Sequence, residues 1–188
     1  SEASMTLRYA PGESFVNSKQ RRVPVSLDAP VFTLTHAMGF KGVLGGEYNF
    51  NRTEASIWKR FWLPASWGKI DCSVKAGAEW NTVPFPLLIL PEANLSYITQ
   101  RETFCLINNM EFLNDRFASM SISYDMNGKL FNRIPLLKNL KWREMFRVRA
   151  LWGTLTDKNN PFKSSNPDLF RFPTRDGKFT SFVMDPKV

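Results

Sequence analysis

The sequence predicts an all-β protein, an antiparallel up-and-down meander of about seven or eight strands with one short helical connector. Three observations lead to this fold class. Apolar and polar residues alternate with a period of two in most segments, which is typical of strands with two different faces. Glycine, proline, asparagine and aspartate cluster between those segments, as they do in turns. Only residues 132–144 combine apolar residues at helical spacing, so no helical layer is expected over the sheet.

The predicted strands follow from the alternation. Residues 70–80 are the clearest case, because Ile70, Val74 and Trp80 share an apolar face and no residue breaks the pattern. Five further segments alternate in a similar way: 3–9, 32–40, 104–112, 117–126 and 146–152. Residues 48–63 are longer and mixed, so we expect a β-bulge there that switches the faces of the strand.

Turn signals separate these strands and define the connections. They are Gly42 with Gly45 and Gly46, residues 64–68, Asn114 with Asp115, Asn127 with Gly128, and Asp176 with Gly177. Longer connections are expected at 11–30, 81–100 and 156–175. The meander therefore has unequal loops, which do not sort by length onto the two ends of the predicted strands.

Length and composition limit the class of protein. The 188 residues fit one domain, and 43% hydrophobic with 22% charged residues is typical of a folded chain. A net charge of +8 suits a nucleic-acid or membrane-surface partner only if the cations cluster, and they are spread along the chain. We therefore expect no nucleic-acid partner. The sequence has no apolar run long enough for a transmembrane helix.

The two strand faces differ in a way that bears on location. One face is rich in Ser, Thr, Gly, Asp, Lys and Arg, and the other in Met, Ala, Leu, Val and Phe, with Trp or Tyr near strand ends. A membrane β-barrel turns the polar face to a wet lumen, whereas a soluble β-barrel that binds a small ligand turns the apolar face inward. The pattern alone leaves both open, and the orientation of the faces separates them.

Three segments carry a resemblance to a known family: Val83-Pro-Phe-Pro-Leu-Leu88, Asn109-Met-Glu-Phe-Leu-Asn-Asp115, and Phe131 to Glu144 followed by Leu151-Trp-Gly153. They resemble Bacteroidota outer-membrane proteins in which a carboxypeptidase-regulatory-like β-domain precedes a C-terminal β-barrel of unknown function. The resemblance implies that residues 1–188 form a single segment of a transmembrane β-barrel, within a longer chain, in the outer membrane of a Gram-negative bacterium. It implies no catalytic residue and no substrate.

A charge cluster is the first candidate site. Arg143, Arg147 and Arg149 share the face that the alternation assigns to the lumen. They form either a cationic stripe that selects an anionic solute or peptide, or internal salt bridges with acidic residues of the same face. The candidate partners are Asp71, Glu79, Glu111 and Asp125. Internal pairing is the favoured interpretation.

Two connecting segments are the other candidates. The helical turn that begins near Pro135 is predicted to link two strands at the bilayer interface or barrel rim, with its apolar residues seated there: Leu136, Leu137, Leu140 and Trp142. The proline-rich segment with Pro84, Pro86 and Asn94 is predicted to be a rim loop, packed at the surface or folded into the barrel mouth.

The remaining polar residues indicate no enzyme. His36 is the only histidine and is expected to be packed or interfacial, while Cys72 and Cys105 fall on opposite faces and are expected to be free thiols. We expect no catalytic residue, metal or cofactor. The predicted function is that of an integral outer-membrane barrel segment with a transport, receptor or assembly role, and outer-membrane lipid as its surroundings. Its oligomeric state is not predicted.

Overall fold

Seven of the nine strands form one antiparallel sheet in a computed structural model that describes residues 1–26, 28–94, 103–107, 111–160, 163 and 182–187. The strands are β1 (Glu2–Tyr9), β2 (Phe15–Asn17), β3 (Arg22–Pro24), β4 (Val31–Gly39), β5 (Phe50–Trp62), β6 (Lys69–Glu79), β7 (Arg116–Asp125), β8 (Met145–Thr154) and β9 (Phe182–Lys187). The order in the sheet is β1-β4-β5-β6-β7-β8-β9, and β2 with β3 forms a separate hairpin. The predicted antiparallel meander is confirmed, and the β2–β3 hairpin is an addition to it.

The connector between β7 and β8 has the predicted form. Asn127 and Gly128 have φ angles of 54° and 77°, which suit a tight turn of the type favoured by Asn-Gly. A 3₁₀ turn at Phe131–Arg133 follows, and then the short helix α1 at Pro135–Lys138, with Pro135 in its first turn. The expectation of one short helical connector is therefore confirmed.

The long strand β5 corrects the expected bulge. Its residues pair without interruption with β4 from Phe50 to Trp58, and with β6 from Arg52 to Trp62. The prediction of a face-switching bulge in 48–63 is therefore wrong. The pattern looks mixed because Trp58 lies on the polar face and Lys59 on the apolar face. Each contacts a neighbour of opposite type on its own face. The Arg60 guanidinium lies 5.4 Å from the Trp58 ring centroid, and the Lys59 amine lies 5.0 Å from the Phe61 ring centroid.

The expected strand at 104–112 is also corrected. Residues 103–107 form bends and one isolated bridge, from Phe104 to Ala93, while residues 108–110 lie outside the described part of the chain. Phe104 and Ile107 pack in a buried cluster with Leu151 of β8. Alternation in this short segment thus reflects packing against the sheet and does not mark a strand. The expected turn at Asp176 and Gly177 also lies outside the described residues.

The sheet has two faces of opposite character. Every residue of β4 to β8 that is buried lies on the polar face by register: Ala37, Gly39, Glu79, Arg149, Leu151 and Gly153. The large apolar side chains of the other face are exposed, for example 43% for Val74 at the middle of β6 and 44% for Val148 on β8. This orientation is the reverse of that in a soluble β-sandwich, whose apolar face is covered. Among the described residues, no helix is long and apolar enough to span a membrane.

The strands are staggered along the sheet. Tyr9, the last residue of β1, lies in a cross-strand row with Phe32, Ile57, Val74, Met120 and Ala150. Strands β5 to β8 continue beyond that row, to Trp62, Lys69, Asp125 and Met145. Stagger of this kind accompanies the tilt of strands in a barrel. Within the described residues, β1 and β9 each pair on one side only, so this sheet does not close on itself.

Candidate functional site

A cavity of about 890 Å³ lies on the polar face of the sheet. Strands β5 to β8 form its floor, and residues of the connection between β6 and β7 form its cover: Leu88, Ile89, Leu90, Pro91, Glu92 and Phe104. The charged side chains that line it are unequal in sign. Seven are cationic, namely Arg52, Arg60, Lys69, Lys75, Arg143, Arg147 and Arg149, and four are carboxylates, namely Glu54, Asp71, Glu92 and Asp125. The lining therefore carries an excess of three positive charges.

Cross-strand ion pairs occupy the part of the cavity that β5 and β6 form. Arg60 of β5 is the direct neighbour of Asp71 of β6, and its guanidinium donates two hydrogen bonds to that carboxylate, at 2.6 and 2.9 Å. Lys69 lies 3.9 Å from its own direct neighbour, Asp125 of β7. Opposite charges on adjacent strands attract at this spacing, so the register itself provides the pairing.

Arg52 and Glu79 form a third cross-strand ion pair. Arg52 lies 3.5 Å from Glu79, its direct neighbour, and the side chain of Glu79 is fully buried. The other carboxylate oxygen of Glu79 accepts a hydrogen bond of 2.9 Å from the backbone N–H of Asn51. The ion pair thus joins β5 and β6 where the long connection to β7 begins.

Two tryptophans on β5 flank the central ion pair. Trp58 and Trp62 lie two residues to either side of Arg60 and so share its face. Their ring centroids are 5.4 and 5.6 Å from the guanidinium carbon. Arg60 is thereby held by two aromatic rings and by Asp71, which fixes its position in the cavity wall. The sequence did not indicate this arrangement of Arg60 between Trp58 and Trp62, because a tryptophan on the polar face departs from the alternation of polar and apolar residues.

The three arginines of the predicted cluster line the opposite side of the cavity. Arg147 and Arg149 are on β8, facing Ser123 and Ser121 of β7 as direct neighbours, and Arg143 precedes the strand on the same side. The Arg149 side chain is buried, donates to the backbone carbonyl of Thr103, and lies 5.9 Å from the Phe104 ring centroid. Arg147 is half-buried and Arg143 is exposed. The structure therefore brings all three to one wall of the cavity.

The expected acidic partners are placed elsewhere. Asp71, Glu79 and Asp125 form their ion pairs with Arg60, Arg52 and Lys69. In the described part of the chain, neither Arg143 nor Arg147 has a carboxylate within ion-pair distance. Glu111, the fourth acidic residue, is exposed and does not line the cavity. The strand register places Asp71, Glu79 and Asp125 beside other cations, so these carboxylates do not pair with Arg143 or Arg147.

The proline-rich segment forms most of the cover. Val83 and Leu88 make a buried cluster with Leu113, and Ile89 pairs with Asn114 through two backbone hydrogen bonds. The segment is tied to the floor of the cavity by a 2.5 Å hydrogen bond from Arg52 to the Leu87 carbonyl, and by a 3.0 Å ion pair between Lys75 and Glu92. It thus lies over the polar face.

The three residues singled out in that segment differ in their surroundings. Pro84 is buried, Pro86 is exposed, and Asn94 is half-buried, with its backbone N–H donating to the Phe104 carbonyl at 2.9 Å. Asn94 therefore joins the two parts of the β6–β7 connection that make the cover. Pro86 lies at its outer side, where it lines a smaller neighbouring cavity with Leu87.

A buried polar cluster centred on Asp115 holds the cover to the sheet. The Asp115 carboxylate accepts hydrogen bonds from the Thr156 N–H at 3.1 Å, from the Thr156 hydroxyl, and from the Asn159 side-chain amide at 3.1 Å. Asn159 in turn accepts from the Val83 N–H at 3.0 Å. Sequence reasoning assigned Asn114 and Asp115 to a turn, and both are buried. No sequence signal identifies this cluster, because its partners lie more than forty residues away.

The helical connector between β7 and β8 carries exposed apolar side chains. Leu136, Leu140 and Trp142 are 79, 50 and 57% exposed, while Leu137 is half-buried and Trp142 lies 6.5 Å from the Phe131 ring. Lys129 donates to the Ala65 carbonyl in the β5–β6 turn, which anchors the connector to the adjacent hairpin. The connector therefore presents exposed apolar side chains to its surroundings just before β8 begins.

Three polar groups on the apolar face, those of His36, Thr53 and Trp80, are joined by hydrogen bonds. His36 Nδ1 and Thr53 Oγ1 are 2.9 Å apart, and the Trp80 indole N–H donates to the same Thr53 oxygen at 2.9 Å. Cys72 is half-buried on this face, Cys105 is exposed, and both are free thiols. No group of three or more His, Cys, Asp or Glu residues that could hold a metal occurs in the described residues.

Comparison with known proteins gives one match. The model of a family described as "Family of unknown function (DUF5686) C-terminal domain" matches residues 1–163. No curated protein and no solved structure matches the chain.

Proposed function

The chain belongs to the DUF5686 family through its C-terminal domain, and from this premise we propose that it is part of an outer-membrane β-barrel whose lumen is lined by the polar face. One observation carries the proposal: the buried residues of β4 to β8 are on the polar face, and the large apolar residues of the other face are exposed. In water, an apolar face of this size would be unfavourable, because a large hydrophobic surface would stay in contact with solvent. Lipid removes that surface from water, so lipid is the environment that suits this face.

Strand length and aromatic placement support a membrane-spanning sheet. Strands β6, β7 and β8 have 11, 10 and 10 residues, which is the length at which tilted strands cross a bilayer. Aromatic side chains lie near both ends of the apolar face, with Tyr124 and Phe146 at one end and Trp80 and Trp152 at the other. Aromatic residues favour the two membrane interfaces in barrels of this kind.

The finer identity is part of the same proposal and rests on the sequence resemblance. It comprises a Bacteroidota source, a carboxypeptidase-regulatory-like β-domain ahead of the barrel, and location in the outer membrane of a Gram-negative bacterium. Of the three roles expected for such a segment, the cavity supports transport or reception of a polar solute more than assembly. No catalytic group is part of the proposal.

The soluble ligand-binding β-barrel is the alternative. Its supporting observation is the cavity itself, whose volume of about 890 Å³ is that of a small-molecule site. That alternative requires the apolar faces to enclose the cavity, and here the cavity lies on the opposite face. The geometry therefore supports the membrane barrel better.

A pair of substitutions on adjacent residues of β6 tests the proposal. Val74 lies at the middle of the exposed apolar face and Ser73 beside it on the cavity wall. In the full-length protein, Val74→Arg should destabilise the membrane-inserted state by about 2–4 kcal/mol, the effect of a cation at the bilayer midplane, whereas Ser73→Arg should be tolerated. The readout is the folded fraction in lipid vesicles, measured by heat-modifiable gel mobility. Equal tolerance of both substitutions, or a monomeric full-length protein in detergent-free buffer, would contradict the proposal.

A further inference from the structure

We propose that the β8 wall of the cavity, with Arg143 and Arg147 beside Ser121 and Ser123, is a binding site for the oxyanion group of a solute. The inference rests on the proposed function, because it takes the polar face to be the side that solute reaches. Its chemistry is that of a phosphate or carboxylate bound by guanidinium and hydroxyl donors.

The first argument is the distribution of charge across the cavity. Among the cations that line it, those of β5 and β6 are matched with carboxylates: Arg52 with Glu79, Arg60 with Asp71, Lys69 with Asp125, and Lys75 with Glu92. Arg143 and Arg147 have no such partner in the described residues. The positive excess of the lining is therefore concentrated on the β8 wall.

The second argument is the neighbouring hydroxyls. Ser121 and Ser123 are half-buried cavity residues on β7, and within the described residues neither side chain makes a hydrogen bond. Ser123 is the direct cross-strand neighbour of Arg147, so both side chains are on the cavity face of the sheet, where the Arg147 guanidinium lies 4.0 Å from the Met145 sulfur. The wall therefore offers hydroxyl and guanidinium donors on neighbouring strands to an anion in the cavity.

The third argument is the fixed geometry of the wall. Next to Arg147 on the same face, Arg149 is buried and bonded to the Thr103 carbonyl. Arg149 therefore belongs to the support of the cover, and its charge raises the positive potential at the adjacent site. Inside a cavity with low-dielectric walls, such a potential concentrates anions.

Isothermal calorimetry tests the site. The full-length protein, purified in detergent, is titrated with inorganic phosphate at low salt. Arg147→Gln is the test variant, and Lys75→Gln is the matched control, since each removes one positive charge from the same cavity. We expect the wild type to bind phosphate, Arg147→Gln to raise the Kd about tenfold or more, and Lys75→Gln to raise it less than about threefold. A parallel titration with acetate distinguishes a carboxylate-bearing solute from a phosphate-bearing one.

Heat-modifiable mobility of each variant separates the possible failures. If the full-length protein shows no folded, detergent-dependent state, the proposed barrel fails and the site with it. If the protein is folded and binds neither phosphate nor acetate, only the site is overturned. Equal loss of binding in Arg147→Gln and Lys75→Gln also overturns it, because a diffuse cationic field would then account for the binding.

Discussion

Arg60 and Asp71 face each other across β5 and β6, and their side chains share two hydrogen bonds of 2.6 and 2.9 Å. The arginine also lies between the rings of Trp58 and Trp62. Its side chain is 16% exposed and that of Asp71 27%. A pair with this little exposure and this geometry contributes more than an ion pair in open solvent.

Asp71→Asn should therefore destabilise the folded full-length protein. The substitution leaves the Arg60 charge without its carboxylate in a partly buried position, and we expect a loss of about 1–3 kcal/mol in the free energy of unfolding. The measurement is the urea midpoint in detergent. Glu92→Gln, which breaks the more exposed pair with Lys75, is the control and should cost less than about 1 kcal/mol. Equal costs for the two substitutions would contradict the special role of the Arg60 pair.

Asp115→Ala should release the cover from the sheet. It removes the acceptor for Thr156 and Asn159 and leaves the half-buried Thr156 donors and the buried Asn159 amide without this partner, at a cost of about 3 kcal/mol. Limited proteolysis of the folded protein should then cleave the segment that contains Val83, which Asn159 holds in place. Asp157→Ala is the control, since its exposed carboxylate bonds to Lys163 at the surface. Unchanged protection of that segment in Asp115→Ala would show that the apolar cluster alone holds the cover.

Gly77→Ala should disturb the packing of Phe117. A methyl group at position 77 would lie 2.5 Å from an atom of the Phe117 ring, so the ring has to move. We expect a destabilisation of about 1–3 kcal/mol, measured from the same unfolding curves. In the double variant with Phe117→Leu the cost should fall, which a double-mutant cycle detects. Ala76→Val, on the exposed apolar face, is the control and should change stability little. Additive effects of the two changes would refute the contact.

Trp142 should contact lipid in the inserted protein. It is 57% exposed on the connector, whereas Trp58 lines the cavity. In vesicles that contain lipids brominated near the headgroup, Trp142→Phe should remove a large part of the quenchable tryptophan fluorescence, and Trp58→Phe should remove little. The experiment fails to support an interfacial connector if the two variants lose the same quenchable fraction.

The sequence predicts the strands with strict alternation best. In β6, every polar residue faces the cavity side and every apolar residue the other, so period two is sufficient to place them. It also predicts that Arg147 and Arg149 share a wall, because parity along one strand fixes the face. Local periodicity therefore gives both the elements and the side on which each residue lies.

The predictions that were wrong depend on side-chain contacts that the alternation of polar and apolar residues does not describe. Trp58 belongs on the polar face because Arg60 is beside it, and Phe104 is buried because Leu151 lies beneath it. Asp115 is a buried acceptor because Asn159 reaches it from another connection. The ion pairs of Arg52, Arg60 and Lys69 with their carboxylates depend on the register between strands, and the alternation within one strand does not specify that register. These features require the three-dimensional neighbours that tertiary structure provides.

The cover acts mechanically as a transverse brace. Hydrogen bonds between neighbouring strands allow a sheet to bend across the strand direction. The cover, however, is attached to three of the strands: to β5 through Arg52 and Leu87, to β6 through Lys75 and Glu92, and to β8 through Arg149 and Thr103. A flatter or more curved sheet would change the spacing of these attachments. The cover therefore resists both flattening and further bending of the sheet between β5 and β8.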